Sequence, residues 1–148
     1  MGPRDQMRGH RKRAIIIGLS RYSHLPSSDI FESNARGMLS VLQAQGFEIK
    51  DEYVLIGKVP YIRLRNRVVN FLSNSDVWPD DTLLVYYSGH AVTEDGEAYL
   101  SSSDSDPHIP RLRGIGLDEL STQIDMCNSQ RVMVMLDCSY TGAAPLSK

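Results

Sequence analysis

Thr82-Leu83-Leu84-Val85-Tyr86-Tyr87-Ser88-Gly89-His90 is the stretch that decides the fold. Thr82–Tyr87 is a short continuous apolar run and reads as a strand buried on both faces, the kind found in parallel sheets. Asp80 and Asp81 precede it, and the glycine-containing segment 88–96 must turn the chain. A second run, Arg131–Leu136, reads the same way and leads into Asp137-Cys138-Ser139-Tyr140-Thr141-Gly142. In open α/β sheets, ligands gather beyond the carboxyl ends of the strands. If the two runs are neighbours, their chemically loaded ends converge, and His90 comes close to Cys138 and Ser139.

Working outward, the remaining chain alternates strands with helices, which predicts a mostly parallel sheet with helices on both faces. Arg13–Leu19 reads as the first buried strand and 20–28 as a polar loop. Asp29 and Glu32 resemble a capping pair, after which Ile30, Ala35, Met38, Leu39 and Leu42 recur at helical spacing until Gly46. Residues 47–56 read as a second strand. Pro60 suits a first helical position, followed by Tyr61, Leu64, Val68 and Phe71 on one face. Residues 98–100 form a short extension, 101–114 a serine-rich mobile surface loop, and Leu117, Leu120 and Ile124 the stripe of a last helix.

The 148 residues are 41% hydrophobic, enough for one compact domain that buries about 68–70% of its unfolded surface. No apolar run approaches the roughly 20 residues of a membrane-spanning helix. The apolar segment 14–19 is too short for a signal peptide, so cytoplasm is the expected location. Net charge is −2, but residues 1–13 set five basic side chains against Asp5. That segment reads as a flexible, solvated basic arm, and with the body acidic, nucleic acid is not expected as the main partner. Cys127 and Cys138 offer neither a disulfide framework nor zinc spacing. Nucleotide-binding glycine and phosphate-loop signatures are absent.

Val85–His90 together with Leu136–Gly142 resembles the caspase/metacaspase cysteine peptidase family, supported by Ala14–Gly18, Asn34-Ala35 and Asp118-Glu119-Leu120. The resemblance implies a caspase-like three-layer α/β/α fold over residues 14–148 with a mostly parallel sheet. About four of the family's six main strands are found, so the chain looks like the large-subunit portion. A C-terminal small-subunit fragment is then the expected partner, completing the sheet. Lys148 is the end that an Arg/Lys-specific protease would leave, whether the chain itself or an upstream activating protease, and a boundary chosen in cloning would look the same. Proteolytic maturation, and settings such as cell death or microbial defence, follow from the resemblance alone.

The family pattern implies His90 as general base and puts the nucleophile position on Ser139, where relatives have cysteine. Cys138 takes the preceding position. A silenced nucleophile is the favoured reading; a natural pseudo-peptidase acting as a scaffold, a working serine, and a shift to Cys138 are the others. A thiol is already partly ionised near neutral pH, whereas a hydroxyl needs simultaneous proton removal, and the Gly-x-Ser-x-Gly elbow is absent. By resemblance the oxyanion donors are the backbone N–H groups of Ser139 and Ala91. Ala91 stands where glycine is usual and resists positive φ. Asp137 would line the primary specificity pocket and pair with a basic side chain, with Ser88 and Asn34 as weaker lining positions, implying protein or peptide substrates cut after Arg or Lys. Asp104 and Asp106 are the Ca²⁺ candidates, but their spacing matches no compact loop motif and an ordinary solvated loop is favoured.

Overall fold

The computed structural model describes residues 10–140. Among the described residues six strands form one sheet flanked by three helices. Four are parallel, in the order β2 (Val54–Gly57), β1 (Lys12–Leu19), β3 (Thr82–Glu94) and β6 (Arg131–Tyr140). The short β4 (Glu97–Ser101) and β5 (Gly114–Gly116) add an antiparallel pair beside the far end of β3. The four-strand parallel core matches the sequence reading.

Strand alternation sorts the core into two layers. Ile15, Ile17, Leu83, Val85 and Tyr87 face Leu64, Val68, Phe71 and Leu72 of α2 (Tyr61–Ser73) and Leu120 of α3 (Leu117–Asp125). Ala14, Ile16, Leu84 and Tyr86 face Ala35 and Leu42 of α1 (Asp29–Ala44) on the other side. Helix α1 lies tight on β1 because Gly18 has no side chain: a Cβ there would sit 2.4 Å from that of Ala35. This close approach carries Phe31 and Asn34 to the carboxyl end of the sheet.

Several local readings need correction. Ser28, not Asp29, caps α1 through the Ile30 N–H, while Glu32 engages Ser20 and Arg36. The second strand is only Val54–Gly57. Glu48 makes a single bridge to Arg13, and Asp51–Tyr53 is a 3₁₀ turn. Pro60 is the cap of α2 rather than its first residue, and the Asp104 carboxylate accepts the Tyr61 N–H at 2.8 Å. Segment 88–96 does turn the chain, but only at its far end. Strand β3 runs on to Glu94, because β6 supports it as far as Ala91 and β4 from Ala91 onward, and the turn comes at Asp95-Gly96.

The serine-rich stretch is not a solvated loop. Ser101, Ser102, Ser103 and Ser105 are buried. Ser103 Oγ accepts the Val59 N–H at 2.8 Å, and Ser105 Oγ accepts the Ser102 N–H at 2.8 Å. Ser102 Oγ reaches Asp104 at 2.6 Å and the Arg113 carbonyl at 2.7 Å. Small hydroxyls satisfy backbone groups that would otherwise be buried without partners, and this lets an irregular segment enter the core.

Most of the basic segment 1–13 lies outside the described residues, but its last part is seated. Lys12 and Arg13 open β1, Arg11 pairs with the fully buried Asp81 at 2.8 Å, and Arg13 with Asp76 at 2.9 Å. Among the described residues no helix is long and apolar enough to cross a membrane.

Candidate active site

Parallel pairing of β3 with β6 sets Ser88 opposite Asp137, Gly89 opposite Cys138, and His90 opposite Ser139. Since side chains alternate along a strand, Tyr86, Ser88, His90, Asp137 and Ser139 share the face covered by α1. Gly89 and Cys138 share the opposite face with Tyr87. The adjacent residues Cys138 and Ser139 therefore serve different layers, with Cys138 packed into the α2/α3 core and Ser139 exposed beside His90.

His90 is buried inside strand β3. Its Nε2 lies 2.7 Å from the Pro26 carbonyl. A carbonyl only accepts, so Nε2 carries the proton and Nδ1 is the basic nitrogen of the neutral ring. Tyr22 and Phe31 pack edge-to-face on the imidazole with centroids 4.7 and 5.0 Å away. Sequence reasoning missed Tyr22, Pro26 and Phe31. They stand about 60 residues or more from His90, and no local pattern signals such a contact.

Asp137 lies exposed. Its Oδ2 accepts from Asn34 Nδ2 at 3.1 Å and from Tyr86 Oη at 3.2 Å. Burial, then the Asp137 charge, pushes the Tyr86 hydroxyl up. Ser88 is fully buried, and its Oγ has no hydrogen-bond partner among the described residues. Asn34, Ser88 and Asp137 thus lie in one cluster, with Tyr86 as a further member. Burial, followed by the neighbouring Asp137 carboxylate, raises the Cys138 thiol to about 11, so it is protonated at neutral pH.

Ala91 lies within β3, in register with Tyr140 of β6 and Leu100 of β4. Among the described residues the non-glycine positions with positive φ are His10 and Asp95, so Ala91 has ordinary strand backbone. Asp104 and Asp106 are used locally, Asp104 as the α2 cap and Asp106 accepting the His108 N–H at 2.9 Å. No group of three or more His, Cys, Asp or Glu side chains among the described residues could hold a metal ion.

With this geometry in view, the match to the family model described as the caspase domain, over residues 11–144, is decisive. The chain belongs to the caspase-domain family. The fold agrees, since a mixed sheet flanked by helices is what a caspase-like domain has. At the family level this caspase domain is a caspase-like peptidase. A comparison with curated proteins found no match.

Proposed function

We propose that this caspase domain is an endopeptidase unit of the His–Cys type, directed to Arg or Lys before the scissile bond, with Ser139 at the nucleophile position. The observation that carries the reading is the register of His90 with Ser139, two residues beyond Asp137. Proton placement on Nε2 leaves Nδ1 to take the nucleophile's proton as its Oγ or Sγ bonds to the substrate carbonyl carbon. The N–H groups of Ser139 and Ala91, the oxyanion donors by resemblance, turn toward the β3–β6 seam in this register and would have to leave it to meet the developing oxyanion. When the C–N bond breaks, the histidine returns its proton to the departing amine, and water then hydrolyses the acyl-enzyme. A serine hydroxyl is far less acidic than a thiol, so Ser139 gives little turnover here. Cys138 is no substitute, because its thiol faces the other layer and is held protonated.

Asp137, with one oxygen occupied by Asn34 and Tyr86, keeps its other oxygen for a substrate ammonium or guanidinium. The buried Ser88 hydroxyl beside it supplies a further acceptor. Strand β6 pairs only with β3 among the described residues, and Met133 and Leu136 on it are 50% and 41% exposed. An unpaired apolar edge of this length calls for another strand, and we assign it to a C-terminal small-subunit segment. Maturation by proteolysis fits that arrangement.

The test is peptide cleavage by the Ser139→Cys variant, with the C-terminal segment supplied, on reporters ending in Arg, Lys or Asp, with and without Ca²⁺. Turnover of the Arg or Lys reporters that His90→Ala abolishes supports the reading. Silence on every reporter by a folded two-part protein would leave the fold as a binding scaffold.

A further inference from the structure

We propose that Tyr22 is a positioning residue that acts through His90, pinning the imidazole against the Pro26 carbonyl and so keeping its proton on Nε2. Along β3 the even-numbered residues turn their N–H and C=O toward β1, as Thr82 shows by donating to the Arg11 carbonyl. Strand β1 supports that edge as far as Gly18, opposite Ser88, and β4 takes over only at Ala91. His90 falls in the gap between the two.

Two tyrosines fill that gap. Tyr22 Oη accepts the His90 N–H at 3.1 Å, and Tyr87 Oη donates to the His90 carbonyl at 2.7 Å while also reaching the Ser101 carbonyl at 2.8 Å. Both hydroxyls converge over Gly89, where a Cβ would lie 2.5 and 2.6 Å from them. Burial raises the Tyr22 hydroxyl to about 12, so it remains a neutral acceptor at working pH.

Tyr22 does more than cap a backbone group, because it shares a loop with Pro26. That loop closes on itself through Ser28 N–H to the Ser20 carbonyl at 2.9 Å and Tyr22 N–H to Ser27 Oγ at 3.0 Å. Its hold on His90 has two points, the Pro26 carbonyl on the ring and the Tyr22 hydroxyl on the main chain, with the Tyr22 ring packed on the imidazole between them. The Ser23 N–H still ties the loop to the Ser103 carbonyl at 2.9 Å, but releasing the hydroxyl removes its direct tie to the β3 backbone at His90 and lets the Pro26 carbonyl shift relative to the ring. The ring then loses the acceptor that holds the proton on Nε2.

This inference rests on the reading of His90 as general base, but its primary test does not need activity. Imidazole ¹⁵N NMR of the ¹⁵N-histidine-labelled chain should report His90 protonated at Nε2. In Tyr22→Phe, which keeps the ring, the tautomers should mix and the His90 amide should exchange at least about tenfold faster. Circular dichroism shows that the variant is folded, and Tyr87→Phe is the companion variant if Tyr22→Phe fails to fold. An unchanged tautomer in the folded Tyr22→Phe protein overturns the proposal. In the Ser139→Cys form supplied with its C-terminal segment, Tyr22→Phe should lower kcat about tenfold or more with KM nearly constant. If the spectra change as expected and the Ser139→Cys parent is inert, the peptidase reading falls and the positioning role stands.

Discussion

His90 and Ser139 face each other in register on the parallel strands β3 and β6, so the two reacting positions are neighbours by backbone pairing rather than by loop conformation. Paired strands are about 4.8 Å apart, and both side chains leave the same face of the sheet. A site held this way should be rigid and respond to side-chain chemistry more than to loop dynamics. For Asp137, two residues before Ser139, the consequence is direct. In the Ser139→Cys form, Asp137→Ala should reduce kcat/KM on an Arg reporter by about 10- to 100-fold, the worth of one charge-assisted hydrogen bond. Thermal unfolding should hardly change, because Asp137 is exposed. Equal activity of the two forms on that reporter would remove Asp137 from the pocket.

Cys138 should be a poor nucleophile. With its thiol raised to about 11, roughly one molecule in a thousand is ionised at pH 8. Alkylation by iodoacetamide, followed by mass spectrometry, should be slower at Cys138 than at a model peptide thiol by a factor on the order of 100. In Ser139→Cys the new thiol should be labelled first.

Gly89→Ala should destabilise the domain by roughly 1–3 kcal/mol, the range for overpacking a filled site. The added methyl would meet the Tyr22 and Tyr87 hydroxyls at 2.5 and 2.6 Å, and both are fixed by hydrogen bonds. Urea denaturation measures it, and an unchanged midpoint would mean that the tyrosine pair yields freely.

Acid should weaken the fold through Asp81 and Asp76. Burial pulls the Asp81 carboxyl up, but hydrogen bonds from Arg11 and the Trp78 N–H outweigh it and leave it below its ordinary 3.8. The Asp76 carboxyl is lowered mainly by its hydrogen bond from Arg13. A carboxylate with a depressed folded-state pKa contributes stability that is complete above the unfolded value and lost as pH falls through the folded one. Unfolding free energy should therefore be level near neutrality and fall below about pH 4. Asp81→Ala should cost about 2–3 kcal/mol at pH 7, and urea titrations of parent and variant should draw together toward pH 2. A pH-independent gap would show that Asp81 acts by packing alone.

The sequence by itself determined the parallel α/β core, because continuous apolar runs at Thr82–Tyr87 and Arg131–Leu136 are local signals that need no knowledge of their neighbours. It also pointed to His90, Ser139, Asp137, Ser88 and Asn34 as one group, through a resemblance that fixes which strand ends meet. Only the tertiary structure decided that β3 runs past His90, since its extension depends on support from β6 and β4 rather than on its own residues. The burial of the serine-rich segment was equally hidden: Ser102 and Ser105 look like loop residues until their hydroxyls find the nearby Asp104 and Arg113, and Ser103 until its hydroxyl meets Val59 across the fold. The division of labour between Cys138 and Ser139, and the Tyr22–Pro26 hold on His90, belong to the same class. Each depends on strand register or on contacts some 64 residues or more apart in the chain, and such contacts leave no periodicity for a local reading to detect.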